Sequence, residues 1–300
     1  MNDDIKTIQL SNLHTCFSSH QTLAKLCQEI YSFNGKILRL DFKGVTFISA
    51  NQFSVLGCIL STFHAKYPDV SILVRNVSPN LARIIKINGF GRHLALESLP
   101  DINNTTIPYK IFDVTEIDEF EKYITISIFN RNDLPQMSSG VKNQMIDNIL
   151  EIFNNVHEHT CSKRLFTCGQ FFPRRQMLYF TITDSGETIP YNVKNHCQKY
   201  DIKLSESDFA LSWALQPGNS TKMLDEPRGL GLFLLLSFID LNKGELYIVS
   251  GKEAFEQNNF GKRYIKLSHY FPGTIVTMAF NLSDKSSYCL TSEQLTDSIF

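Results

Sequence analysis

Three side chains on one stretch, and three short turns downstream of it, could do chemistry. Glu151, Asn155 and His159 follow one another at intervals of four residues. Residues four apart share one face of an α-helix, so a carboxylate, an amide and an imidazole point the same way. A carboxylate so placed can take a proton from a water attacking a phosphate. An amide oxygen one turn on can ligate Mg2+, a hard ion that prefers oxygen. The plain alternative is solvated helix surface, where polar residues four apart are common. The turns are DSGETIP (184–190), RGLGL (228–232) and PGT (272–274). Asp184 ends an apolar stretch and Gly186 follows two residues later. That pair can accept a hydrogen bond from an exocyclic amine while the backbone turns tightly beneath a ring. Asp, Ser and Gly are also ordinary surface-turn residues. Gly229 and Gly231 let backbone N–H groups face phosphates at a helix N-terminus, or are incidental to a helix start.

The row and the turns need elements to hold them. Residues 139–159 read as a long amphipathic helix with Met145, Ile149, Phe153 and Val156 as its apolar stripe. RLFTCGQFF and MLYFTITD read as an antiparallel pair joined at Pro173-Arg174-Arg175. A buried helix is expected over 230–241, then strands at 245–250, 263–269 and 274–282. Residues 190–228 are polar and poorly periodic, with a short helical piece near Ala210–Leu215, and suit a lid. Trp213 reads as an anchor for that lid. Residues 110–135 read as one or two strands.

The first hundred residues show a different rhythm. KILRLDFKGV (36–45) reads as a strand with Leu38, Leu40 and Phe42 on its apolar face. Residues 50–66 read as a helix burying Phe53, Leu56, Leu60 and Phe63. VSILVRNV (70–77) is a second strand, and a helix follows, capped by Ser78 or Asn80 and stopped by Gly89. Strand–helix–strand–helix implies a small α/β module. The polar, turn-prone LPDINNTTIP (99–108) reads as the linker, which divides the chain into 1–103 and 104–300.

Bulk composition excludes several classes. The chain has 300 residues, 43% of them hydrophobic and 20% charged, as in a folded protein rather than a disordered one. A net charge of −1 steers it toward neither nucleic acid nor anionic lipid. The longest apolar run, LGLFLLLSFI, is about half a membrane span. The start MNDDIKTIQL lacks the pattern of a secretory signal, and seven scattered cysteines suit free thiols, so a cytoplasmic protein is expected. The spacing of His157, His159, Cys161 and Cys168 does not match paired zinc knuckles. His14, His20, His64 and His93 suggest no partners.

Taken in order, EIFNNVHEH, DSGETIP, RGLGL and PGTIVTMAF resemble the GHKL ATPase superfamily, which includes gyrase-type topoisomerases, histidine kinases and anti-sigma-factor serine kinases. The resemblance covers roughly 110–282. It implies a two-layer α/β sandwich with a mixed sheet that binds Mg-ATP. Glu151 would be the general base and Asn155 the Mg2+ ligand. His159 would touch phosphate or cap the helix. Asp184 would read adenine beside Gly186 and Ile189. Gly229, Leu230, Gly231 and Leu232 would form the second glycine box, and Thr274 would stand near the base. GNSTK (218–222) looks like a phosphate-reaching element through Thr221 or Lys222. Thr188 stands where the family has a second glycine, which would narrow the turn.

LDFKGVTFISANQFSVLGCIL and NVSPNLARIIKINGF resemble a STAS domain over about 10–98. The overall fold class expected is therefore α/β (α+β). Where that family has a phosphorylatable serine, this chain has Asn51, so the resemblance implies a docking or scaffold module. Together the resemblances imply an ATP-hydrolysing conformational switch. A serine kinase acting on a STAS partner and a non-catalytic nucleotide-sensing adaptor are the alternatives. A STAS-like or other regulatory protein partner is implied, and a homodimer is compatible with it. No nucleic-acid partner or membrane is indicated.

Overall fold

The computed structural model describes residues 4–159, 162–205, 208–219 and 231–294. The chain runs β1 (Ile5–Gln9), α1 (Phe17–Tyr31), β2 (Ile37–Asp41), α2 (Gln52–Lys66), β3 (Ser71–Arg75), α3 (Pro79–Ile87) and a 3-10 turn at Phe90–Leu94. It continues with β4 (Thr106–Asp113), α4 (Ile117–Ile124), a π-helical turn Thr125–Phe129, β5 (Gln136–Met137) and α5 (Ser139–His159). Next come β6 (Arg164–Phe172), β7 (Met177–Asp184), α6 (Ile189–Lys199), α7 (Ala210–Ala214) and α8 (Gly231–Leu241). The last elements are β8 (Glu245–Asn258), β9 (Gly261–Asn281), β10 (Ser287–Tyr288) and α9 (Thr291–Gln294).

The N-terminal module is a three-stranded parallel sheet in the order β1-β2-β3. Parallel neighbours need crossover helices, and two crossovers stepping the same way put α1 and α2 on one face. Leu38, Leu40 and Phe42 are buried beneath them. Ser78 caps α3, its hydroxyl accepting from Leu81 N, and Gly89 follows in the left-handed region at φ 86°. A cap of this kind contributes about 1 kcal/mol.

Beyond β4 lies a five-stranded sheet ordered β4-β6-β7-β9-β8. Every pairing in it is antiparallel, which corrects the expected mixed sheet. Hairpins join β6 to β7 and β8 to β9, so adjacent strands run oppositely. One face carries Leu178, Phe180, Ile182, Val276, Met278 and Phe280 and packs with residues of α4, α5 and α8. The stripe Met145, Ile149, Phe153 and Val156 of α5 is buried there as its spacing implies. Burial of such side chains, each stabilising by about 1.5–3 kcal/mol, holds α5 to the sheet.

The other face is not open. Phe166, Cys168, Val249, Phe271 and Ile275 share one core with Leu23, Cys27 and Ile30 of α1 and Val55, Leu56 and Ile59 of α2. The molecule is therefore a stack of four layers: small sheet, helix pair, large sheet, helices. α2 is buried continuously from Gln52 to Ile59 because it lies between two sheets. Phe53 packs on Phe90 and Phe63 on Tyr31 within the module. Small and hydroxylic residues of α2 also meet the large sheet. Gly57 illustrates the closeness, since a Cβ there would overlap the Tyr109 hydroxyl of β4. The N-terminal module, expected to be a docking or scaffold module, uses its helix face within its own chain.

Other expectations are corrected too. Residues 110–135, expected to be one or two strands, hold the end of one strand, β4, and then the helix α4 and the π turn. Ile117, Phe120, Tyr123 and Ile124 pack inward at helical spacing, which overrides the β-branched residues around them. β4 begins at Thr106, inside the stretch expected to be linker. Within 190–228 the described residues hold α6, which starts at Ile189, besides the short helix expected near Ala210–Leu215, which is α7 (Ala210–Ala214) and packs with α6. The strands expected at 263–269 and 274–282 are one continuous β9. α5 is closed at its start by the Glu293 carboxylate, which accepts from Ser138 Oγ at 2.6 Å and Gly140 N at 3.2 Å. Hydrogen bonding holds that carboxyl below its ordinary range.

Candidate functional site

β7 alternates strictly. Leu178, Phe180 and Ile182 enter the core with α5 and α8, while Thr181 and Thr183 bond toward the N-terminal module or along its face. The alternation places Asp184, the last residue of β7, on the α5/α8 side. Thr274 is its cross-strand partner on β9, on the same face. Asp184 is only 3% exposed. Its carboxylate accepts from Gly186 N at 2.8 Å, and the nearby Thr274 backbone N–H also favours its charged form. Burial nevertheless dominates and pushes its pKa up to about 7.

The glycine of PGT is explained by this pairing. Gly273 has φ 136°, a conformation side chains rarely adopt. A Cβ there would overlap the Asp184 carbonyl oxygen and lie 2.8 Å from Ser185 Cα. Only glycine lets β9 approach the end of β7 so closely.

Motif reading passed over two polar residues, of which Ser250 joins the site by hydrogen bonds. Ser250 of β8 bonds Thr274 Oγ1 at 2.8 Å and accepts from Ile189 N at 2.9 Å. It ties three elements together, yet a serine at the end of an apolar strand gives no sequence signal. Asn148 of α5 is 3% exposed, and its Nδ2 has no hydrogen-bond partner among the described residues. It lies three and seven residues before Glu151 and Asn155, on the same side of the helix. That spacing would have marked it.

The expected turn at Thr188 is a helix cap instead. Its hydroxyl accepts from Tyr191 N at 3.3 Å, so Thr188 is the residue that starts α6. Ile189 contributes through its N–H, while its side chain packs among apolar residues. Leu232 of α8 likewise packs against the core. Trp213, on α7, packs at a tilt against His196 of α6, with ring centres 5.5 Å apart.

The structure thus brings together Asp184, Gly186, Ile189 and Thr274. Glu151 and Asn155 lie on α5, both half-buried, and α5 packs on α8, which begins at Gly231. Thr221, Lys222, Gly229 and Leu230 lie outside the described residues, as does the side chain of His159. Among the described residues, no three His, Cys, Asp or Glu side chains form a metal cluster. Cys168 is buried toward the N-terminal module, and Cys161 lies outside the described residues. No described helix is long and apolar enough to cross a membrane.

Set against known proteins, the sequence matches no family model and no curated protein. The geometry of the site is the ground on which a function rests.

Proposed function

We propose that the chain binds Mg-ATP in a GHKL-type pocket and hydrolyses it as a conformational switch. One observation carries the reading: the buried carboxylate of Asp184 ends a central strand on the helix-covered face, beside Thr274 and the glycine-dependent approach of β9. A buried carboxylate that accepts only backbone bonds keeps lone pairs for an exocyclic amine. Gly186 leaves the backbone bare beneath a ring. The donor set also suits magnesium, since Asn155 offers an amide oxygen from the helix over the sheet.

In this reading Asp184 selects adenine, and Ser250 and Thr274 hold the base of the pocket in register. Glu151 takes the proton of the attacking water. Mg2+, held by Asn155, would supply charge neutralisation at the phosphates. Thr221, Lys222, Gly229 and the backbone of Leu230, Gly231 and Leu232 would face the phosphates at the start of α8, with His159 at the far end of the row. In this reading the N-terminal module is STAS-like, and the position of that family's phosphoserine is held by Asn51, which cannot accept phosphate and is fully buried.

Equilibrium titration of Mg-ATP into wild type and Asp184→Asn tests the pocket. The variant is expected to bind at least about tenfold more weakly, the equivalent of ~1.4 kcal/mol. Equal affinities would sink the reading. With γ-labelled ATP, free phosphate supports the switch and label on an added STAS-type protein supports a kinase. Binding without either supports an adaptor. Glu151→Ala should keep binding and stop turnover.

A further inference from the structure

The two faces of β7 are joined at one loop. Asp184 faces the α5/α8 side, and the next residue, Ser185, faces α2. There Thr62 Oγ1 donates to Ser185 Oγ at 2.9 Å. This is the last rung of a hydroxyl ladder between α2 and β7. Ser54 Oγ bonds Thr183 Oγ1 at 2.6 Å, and Asn51 Nδ2 donates to Thr181 Oγ1 at 3.0 Å. Thr181 in turn bonds Thr277 of β9 at 2.7 Å. The rungs at Asn51 and Ser54 are wholly buried, whereas Thr62 and Ser185 are half-buried. The ladder is fixed at one end and least confined at the loop.

We infer that Thr62 and Ser185 are positioning residues through which α2 reads whether the Asp184 loop is occupied. The inference rests on the nucleotide reading of Asp184. A ring held by Asp184 over Gly186 fixes the peptide units on both sides of Ser185. The Ser185 hydroxyl is carried by that same backbone, so its geometry toward Thr62 changes with occupancy. Thr62 also lies near the Tyr31 hydroxyl of α1, and the Cys58 thiol lies near Thr62 and Ser185. Both helices of the N-terminal module therefore meet the loop. Linkage makes the effect mutual: if nucleotide tightens the rung, the rung tightens nucleotide by the same factor.

Hydrogen exchange with and without Mg-ATP, on wild type, Thr62→Val and Ser185→Ala, tests this. In wild type, ATP is expected to slow exchange at 184–187 and also at 58–66 of α2. In Thr62→Val, protection at 184–187 should persist while the α2 response is lost, with affinity reduced roughly fivefold. Should Thr62→Val not fold, as its melting curve would reveal, Ser185→Ala removes the same bond from the half-exposed side. An α2 response that is absent in wild type, or that survives in both variants, overturns the inference while leaving the nucleotide reading intact. Absence of protection at 184–187 in wild type overturns both.

Discussion

At the scale of single residues, Asp184 sets a conflict between stability and binding. Its folded pKa of about 7 lies above the ordinary value of 3.8. A raised carboxyl favours folding below the unfolded pKa, and that advantage is lost as pH rises through the folded pKa. Ionised Asp184 thus costs the empty protein on the order of 4 kcal/mol above pH 8. Asp184→Asn should flatten the fall in stability between about pH 4 and 8, leaving the variant more stable than wild type at pH 8. Urea unfolding at pH 5 and pH 8 measures this, and an unchanged pH slope would count against it. The same ionisation supplies a better acceptor for an exocyclic amine, so nucleotide affinity should rise over the window in which apo stability falls.

At the scale of elements, α2 has two faces of opposite chemistry. Phe53 packs on Phe90 and Phe63 on Tyr31 within the module; Asn51, Ser54, Gly57, Cys58, Ser61 and Thr62 meet the large sheet. Gly57→Ala places a methyl where the Tyr109 hydroxyl sits, and Tyr109 is itself packed edge-on against Phe90. The substitution should cost about 1–3 kcal/mol by overpacking, although alanine favours a helix. A chemical-denaturation midpoint equal to or above wild type would contradict the close approach.

The same helix explains what the sequence could reveal. Its first face was legible because bulky apolar side chains at helical spacing are the strongest local signal. Its second face was not, because small and hydroxylic residues look like solvated surface until a partner is known. α6 escaped notice for a like reason: only Val193 and Cys197, with Pro190, are buried along it. β1 and α1 were not read from the sequence at all, although Leu23, Cys27 and Ile30 stand at helical spacing along α1. In the candidate site, Asp184 and Gly186 were legible as turn chemistry, whereas PGT, read as a turn, lies inside β9, where Thr274 pairs with Asp184. Ser250 was not, because its role comes from pairing with a strand 24 residues away.

At the scale of the molecule, the division at 103/104 separates two stretches of sequence but not two cores. Removing residues 1–103 would bare Phe166, Val249, Phe271 and Ile275 together with the Thr181 and Thr183 hydroxyls. The fragment 104–300 should aggregate, or bind a hydrophobic dye strongly, whereas the full chain does neither. Size-exclusion chromatography of both would show it. A monomeric, dye-silent fragment would mean that the large sheet does not need α1 and α2.

The hydroxyl face of α2 also has a consequence for synthesis. The ribosome releases α2 long before β7 and β9, its partners in the ladder, exist. Roughly 200 residues separate Gly57 from the end of β9, which is on the order of ten seconds or more of translation. A helix greasy on both sides would spend that interval with an adhesive surface in water. Asn51, Ser54, Ser61 and Thr62 instead offer groups that water satisfies while they wait. The side of α2 that finds its partner last is the one best suited to delay.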